Sequence, residues 1–156
     1  CCALKPETVA RLAKVPGIIG WKEATGDLSR TPLLRELCGP DFALYSGDDA
    51  SGCDFMLQGG DGVISVTTNI AAPQMADMCR AALAGDAGQA HDINNRLMPL
   101  HQTLFCEPSP IPVKWACARL GLMATATLRL PLTDLTPEGE QAMARALTTA
   151  ELMASV

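Results

Sequence analysis

Lys22 closes the short apolar run Ile18-Ile19-Gly20-Trp21 and is followed by Glu23-Ala24-Thr25-Gly26-Asp27. A lysine in that position either reaches water along its flexible stem or sits in a pocket that lowers its pKa. In the second case the neutral amine is a nucleophile toward carbonyl carbon and can form a Schiff base. The decapeptide alone leaves both readings open. Three other segments carry residues of chemical interest. Gly47-Asp48-Asp49 reads as a tight turn in which Asp49 or Ser51 caps the next helix. It reads equally as a place where Gly47, lacking a side chain, lets backbone approach a ligand. Gly59-Gly60-Asp61-Gly62 precedes a strand instead of opening a helix, so it is not a phosphate loop. The run Glu107-Pro108-Ser109-Pro110-Ile111-Pro112-Val113-Lys114 reads as a rigid entry into a helix.

Other chemistries find little support. No Ser/His/Asp arrangement is visible, and no pair of carboxylates has a forced geometry. His91 and His101 are the two imidazoles, and neither has a ligand partner at helical spacing. Cys1, Cys2, Cys38, Cys53, Cys79, Cys106 and Cys117 contain no CxxC pair, so no metal site is expected. Most lie in apolar company, as in Leu104-Phe105-Cys106, where cysteine acts as a small hydrophobe. Their odd number without a framework fits a reducing cytoplasm. A net charge of −5 argues against nucleic acid or an anionic membrane as partner. With 48% hydrophobic and 19% charged residues, the 156-residue chain should bury a sizeable core. No apolar run approaches the roughly 20 residues of a membrane span, and no signal peptide is evident at the start. The chain opens on Cys-Cys rather than methionine, which hints at a piece of something longer.

The elements that must position Lys22 alternate. A helix is predicted over Lys5–Lys14, a strand over Ile18–Lys22, and a helix capped by Thr31-Pro32 that buries Leu33, Leu34 and Leu37. A second strand follows over Phe42–Ser46, then a short helix over Ala50–Leu57. The third strand is predicted at Gly62–Val66 and the next helix over Asn69–Ala84. The strands are short and apolar without clean alternation, as expected when both faces are covered. Helices between all of them imply parallel βα units. After Gly85 the pattern is helical only. Ala90, Ile93, Leu97, Leu100 and Leu104 share one face of a helix that Pro99 should kink. Further helices are predicted over Val113–Leu120 and from Thr136-Pro137 to Ala150.

Taken together, these segments resemble the dihydrodipicolinate synthase family. The resemblance rests on Ile19-Gly20-Trp21-Lys22-Glu23-Ala24-Thr25-Gly26, Ser46-Gly47-Asp48-Asp49-Ala50 and Gly62-Val63-Ile64-Ser65-Val66. It continues through Arg96–His101, Glu107-Pro108, Pro110-Ile111-Pro112-Val113-Lys114-Trp115-Ala116 and Leu128-Arg129-Leu130-Pro131. The resemblance implies an α/β fold: the last three βα units of a (β/α)8 TIM barrel over residues 1–85, then a C-terminal helical domain over 86–156. It implies that Lys22 forms a Schiff base with pyruvate, whose enamine attacks aspartate semialdehyde on the route to lysine and diaminopimelate. Ile64 would contact pyruvate through backbone, and Gly47 would line the same pocket. No cofactor or metal is required, because the iminium is itself the electron sink. A cytoplasmic homo-oligomer, a tetramer in the full-length family, is the expected assembly.

The departures from the family pattern are specific. Trp21 stands where Ile or Val is usual, and alternation should turn it away from Lys22 to pack under the helices. Ser109 replaces the usual Asn, and Leu57-Gln58 reverses a common order near a helix used in tetramer contacts. Eight βα units need about 240 residues, so upstream threonines and tyrosines of the proton relay, a substrate-binding arginine and the lysine feedback site are not in this chain. Three readings follow: the pyruvate-dependent synthase, a non-catalytic α/β piece, and a sibling aldolase of the N-acetylneuraminate lyase kind. Unpaired strand edges at Ile18 and Val63 predict self-association or pairing with a complementary half.

Overall fold

The apolar runs around Trp21, Leu44 and Val63 pair as three short parallel strands in a computed structural model that describes residues 3–154. Strands β1 (Gly20–Glu23), β2 (Ala43–Ser46) and β3 (Gly62–Val63) lie side by side in that order. Lys22 pairs with Tyr45, and Tyr45 in turn with Gly62. Helix α1 (Pro6–Leu12) precedes β1, α2 (Arg30–Cys38) joins β1 to β2, and α3 (Gly52–Leu57) joins β2 to β3. The remaining helices are α4 (Thr68–Leu83), α5 (Ala87–Thr103), α6 (Ile111–Arg119) and α7 (Pro137–Thr149). This is the predicted alternation of helix with parallel strand. The chain divides into two compact units, Cys1–Ser65 with Met78–His91, and Val66–Asp77 with Asp92–Val156.

In the first unit Val9, Leu34, Phe42, Leu44 and Phe55 form one buried cluster, with Trp21 packed against it. Successive side chains leave a strand on opposite faces. Trp21 and Leu44 therefore share the face that α1, α2 and α3 cover, while Lys22 and Tyr45 share the other. The expectation for Trp21 is met. The expectation that both faces are covered is not met within this chain: Lys22, Tyr45 and Ile64 are exposed.

Several local predictions also change. Thr31 does not cap α2; Ser29 occupies that position and Thr31 is fully buried inside the helix. Of the three leucines only Leu34 is buried, because one sheet face receives one stripe, and Leu33 and Leu37 lie on the next stripe outward. β3 stops at Val63, although the Ile64 N–H still reaches the Ser46 carbonyl at 2.8 Å. Its partner β2 ends at Ser46. At the opposite ends of the strands Arg35 clasps the chain. It donates to the carbonyls of Phe42 (2.8 Å) and Gly59 (2.8 Å) and pairs with Asp61 (2.6 Å). The same Asp61 oxygen accepts the Leu44 N–H at 2.7 Å, which ties β2 to the segment entering β3.

In the second unit Ile93, Leu97, Leu100 and Leu104 of α5 are buried, as their spacing predicts. The α4 backbone leaves helical geometry at Ala71 (φ −135°, ψ 41°), two residues before Pro73. A proline ring clashes with the carbonyl four residues back and offers it no N–H. That carbonyl belongs to Asn69, and the Cys117 thiol donates to it instead, at 3.9 Å. α7 starts where predicted, and Thr136 caps it, accepting from Gly139 N–H at 3.1 Å. Phe105 and Cys106 are exposed, against the expectation of apolar company for that cysteine.

Candidate active site at the carboxyl ends of the strands

Lys22 is the third residue of β1, and its side chain lies on the sheet face opposite the helices. Gly47 follows the last residue of β2 and donates its N–H to the Glu23 carbonyl at 2.7 Å, so it sits beside the Lys22 segment. A Cβ at Gly47 would collide with Lys22 Cε and lie 2.9 Å from Ala24 Cβ and 3.1 Å from Lys22 Cγ. The lysine stem thus occupies the space that any side chain at position 47 would need. Tyr45 and Gly62 share a register level with Lys22, and Ile64, two residues beyond Gly62, returns to the same face. Lys22, Gly47 and Ile64 are therefore collected on one face at the carboxyl ends of three adjacent strands.

Glu23 faces the other way and is only 4% exposed. Its carboxylate accepts from Thr25 N–H (2.9 Å), Arg30 Nε (2.9 Å) and the Trp21 indole (3.4 Å). Burial pushes the Glu23 carboxyl up, but hydrogen bonds from Thr25 and the Arg30 guanidinium outweigh it and hold the pKa below the ordinary value. Arg30 also donates to the Leu4 carbonyl at 2.8 Å, which pins the segment before α1 to the end of β1. Sequence reasoning missed this clasp. The signal available was a glutamate next to the lysine with an arginine seven positions on, too long a spacing for any helical pairing rule. Leu4, Trp21, Lys22, Glu23, Thr25 and Arg30 line a cleft of ≈ 400 Å³ along the outer edge of β1.

The Gly47-Asp48-Asp49 turn resolves partly as expected. Asp48 holds the turn: its Oδ2 accepts from the Ser51 N–H (2.9 Å) and hydroxyl (2.6 Å). Ser51 occupies the cap position of α3 but accepts no hydrogen bond there.

The other motifs are structural. Gly59–Gly62 carries the Arg35–Asp61 clasp already described. In the second unit Glu107 accepts from both the N–H (3.1 Å) and the hydroxyl (2.6 Å) of Thr136, and the Lys114 amine donates to the Thr127 carbonyl. A larger cavity of ≈ 510 Å³ lies in that unit, lined in part by Trp115, Leu128, Asp134 and Glu140. Burial and the charge of Asp54 push the Cys53 thiol up to about 11, and burial raises Cys38, Cys79, Cys106 and Cys117 as well. None of these five is a poised thiolate. Cys1 and Cys2 lie outside the described residues. Among the described residues no cluster of three metal-ligating side chains occurs, and no helix is long and apolar enough to cross a membrane.

The arrangement is a lysine amine on an open sheet face, seated against a glycine, with a part-buried ion pair anchoring the strand behind it. Comparison with known proteins gives it a family. The sequence profile of the dihydrodipicolinate synthetase family matches residues 1–150. A 4-hydroxy-tetrahydrodipicolinate synthase of Sodalis glossinidius is 59% identical over 152 residues, 97% of this chain and 52% of that protein. Among solved structures, a chloride-inhibited dihydrodipicolinate synthase from Acinetobacter baumannii complexed with pyruvate superposes with TM-score 0.91 at 44% identity, covering 95% of this chain and 50% of that one. A monomeric dihydrodipicolinate synthase variant gives TM-score 0.89 at 33% identity, over 95% and 50% of the two chains. The chain spans about half the length of the curated relatives it matches. Matched over nearly its whole length, this chain belongs to the dihydrodipicolinate synthetase family.

Proposed function

We propose that Lys22 forms a Schiff base with the ketone carbon of pyruvate, and that the chain serves a 4-hydroxy-tetrahydrodipicolinate synthase that condenses the resulting enamine with aspartate semialdehyde. The observation that carries this reading is the seat of Lys22 against Gly47. A flexible lysine is held at the carboxyl ends of parallel strands by a position that has no room for a side chain. Gly47 and the backbone at Ile64 then flank the bound 2-oxo acid. No metal is needed, since the protonated imine withdraws electrons by itself. On this reading residues 1–85 are the last three βα units of a (β/α)8 barrel and residues 86–156 its helical domain. A cytoplasmic homo-oligomer, tetrameric in form, is the assembly that goes with it.

One observation favours a second reading, a non-catalytic member of the family. Lys22, Tyr45 and Ile64 are all exposed to solvent, and water competes with every interaction that would organise a substrate there. Borohydride trapping with pyruvate, followed by peptide mass analysis, separates the two. The proposed function expects a reduced adduct on Lys22. An unmodified Lys22 leaves the non-catalytic reading.

A further inference from the structure

Glu23 follows Lys22 in β1 and points to the helix-covered face of the sheet, out of reach of anything bound to the Lys22 amine. Both of its carboxylate oxygens are committed. Oε1 accepts from the Thr25 N–H at 2.9 Å, which bends the chain back immediately after the strand. Oε2 takes the Arg30 guanidinium through Nε and Nη2, each at 2.9 Å. Arg30 opens α2, so the carboxylate ties the end of the strand to the helix that follows. The Glu23 backbone works toward β2: its carbonyl accepts the Gly47 N–H at 2.7 Å. The stem of Lys22 lies in the notch that these contacts fix. One wall is Gly47, where a Cβ would collide with Lys22 Cε. That same Cβ would lie 2.9 Å from Ala24 Cβ, so Ala24, between Glu23 and Thr25, closes on the same spot. Glu23 thus holds Gly47 through its carbonyl and Ala24 through the Thr25 turn.

We infer that Glu23, braced by Arg30, is a positioning residue that sets where the Lys22 amine stands relative to a bound 2-oxo acid, an inference that rests on the Schiff-base reading above. A lysine has a long flexible stem, and an open face offers few neighbours to select one of its rotamers. Attack on a ketone needs the nitrogen and the carbonyl carbon about 3–3.5 Å apart and aligned. What must be held is therefore the backbone of residues 22–24 and of Gly47. A hydrogen-bonded ion pair on the covered face holds it without obstructing the open one. Glu23 is 4% exposed and Arg30 15%, so water competes for this clasp far less than for a surface pair. The carboxylate acts here as an acceptor that fixes a turn. A neutral side chain that still accepts the Thr25 N–H preserves that part of the role.

The test uses the 156-residue chain with two carbonyl probes and cyanoborohydride, reading Lys22 by peptide mass analysis against Lys5 and Lys14. Pyruvate must be oriented to react, and formaldehyde need not be. In both cases amine and carbonyl lose water to form an imine, whose carbon takes hydride from the cyanoborohydride. Glu23→Ala should slow the pyruvate adduct at Lys22 about 10- to 100-fold and leave formaldehyde labelling of Lys22 unchanged. Glu23→Gln keeps an oxygen for the Thr25 N–H and should recover most of the rate. The double variant Glu23→Ala/Arg30→Met leaves no unpaired charge to unfold the chain. It should match Glu23→Ala, with circular dichroism unchanged. A wild-type pyruvate rate in either alanine variant overturns the inference. So does an equal change with both probes, which would report altered exposure of the amine. A Glu23→Gln rate as low as that of Glu23→Ala overturns it too, by assigning the role to charge. If the wild-type chain is labelled by formaldehyde but forms no pyruvate adduct, the Schiff-base reading itself fails and takes this inference with it.

Discussion

Leu44 and Tyr45 are consecutive in β2, yet Leu44 is fully buried and Tyr45 is 38% exposed, because adjacent side chains leave a strand on opposite faces. The whole sheet repeats that division. On one face Trp21 and Leu44 meet Val9, Leu34 and Phe55 from the helices, and the contact is apolar packing. On the other, Lys22, Tyr45 and Ile64 stand in solvent among glycines. Burial on the first face stabilises the unit. The second face contributes little to stability and carries every group with plausible chemistry. A candidate site built this way keeps its side chains off the face whose packing holds the strands in place.

The sharpest way to break that contrast is to hollow out the covered face. Leu44→Ala should cost about 2–5 kcal/mol in urea unfolding, through lost transfer energy and the cavity left behind. Ile64→Ala on the open face should change stability by no more than about 0.5 kcal/mol. Equal costs would mean that the open face is covered in solution. The second test acts on the open face alone. Gly47→Ala puts a methyl where Lys22 Cε lies, so the adduct-forming rate should fall about 10- to 100-fold by displacing the amine, with the helix-covered core unaffected.

Smaller effects test what supports each face. Arg35→Ala removes the clasp at the amino ends of the strands and should cost about 1–2 kcal/mol, since hydrogen bonds to a charged group are worth more than neutral ones. Lys22 trapping per folded molecule should not change. The smallest effect is a pH limb from Glu23. Its folded pKa is depressed, so the stability it contributes is present above the unfolded carboxylate value and is lost as pH falls through the folded value. Glu23→Gln should flatten the acid side of the stability curve below about pH 4.5 and leave the neutral range of Lys22 chemistry in place. A steeper acid limb in Glu23→Gln would show that the Arg30 ion pair does not act as described.

Much of this was legible before any coordinates. The alternation of helix and strand, the buried stripe of α5, the start of α7 and the turn of Trp21 toward the helices all follow from local periodicity and turn chemistry. Capping at Thr31 and burial of Leu33 and Leu37 differ from expectation for one reason. Each depends on which neighbouring surface the segment meets, and a helix presents the same sequence pattern to a surface that covers one stripe or two. The Glu23–Arg30 and Glu107–Thr136 contacts span seven and twenty-nine positions and follow no spacing rule.

The sequence by itself determined the family, the order of the elements and the place of the lysine on the first strand, because family motifs and residue periodicity are local properties of the chain. The tertiary structure decided that Gly47 is the seat of that lysine, that Tyr45 is its register partner, and that their shared face is open. Those facts arise from strand register and from close approach between segments more than twenty residues apart, and no one-dimensional pattern encodes a distance across a sheet.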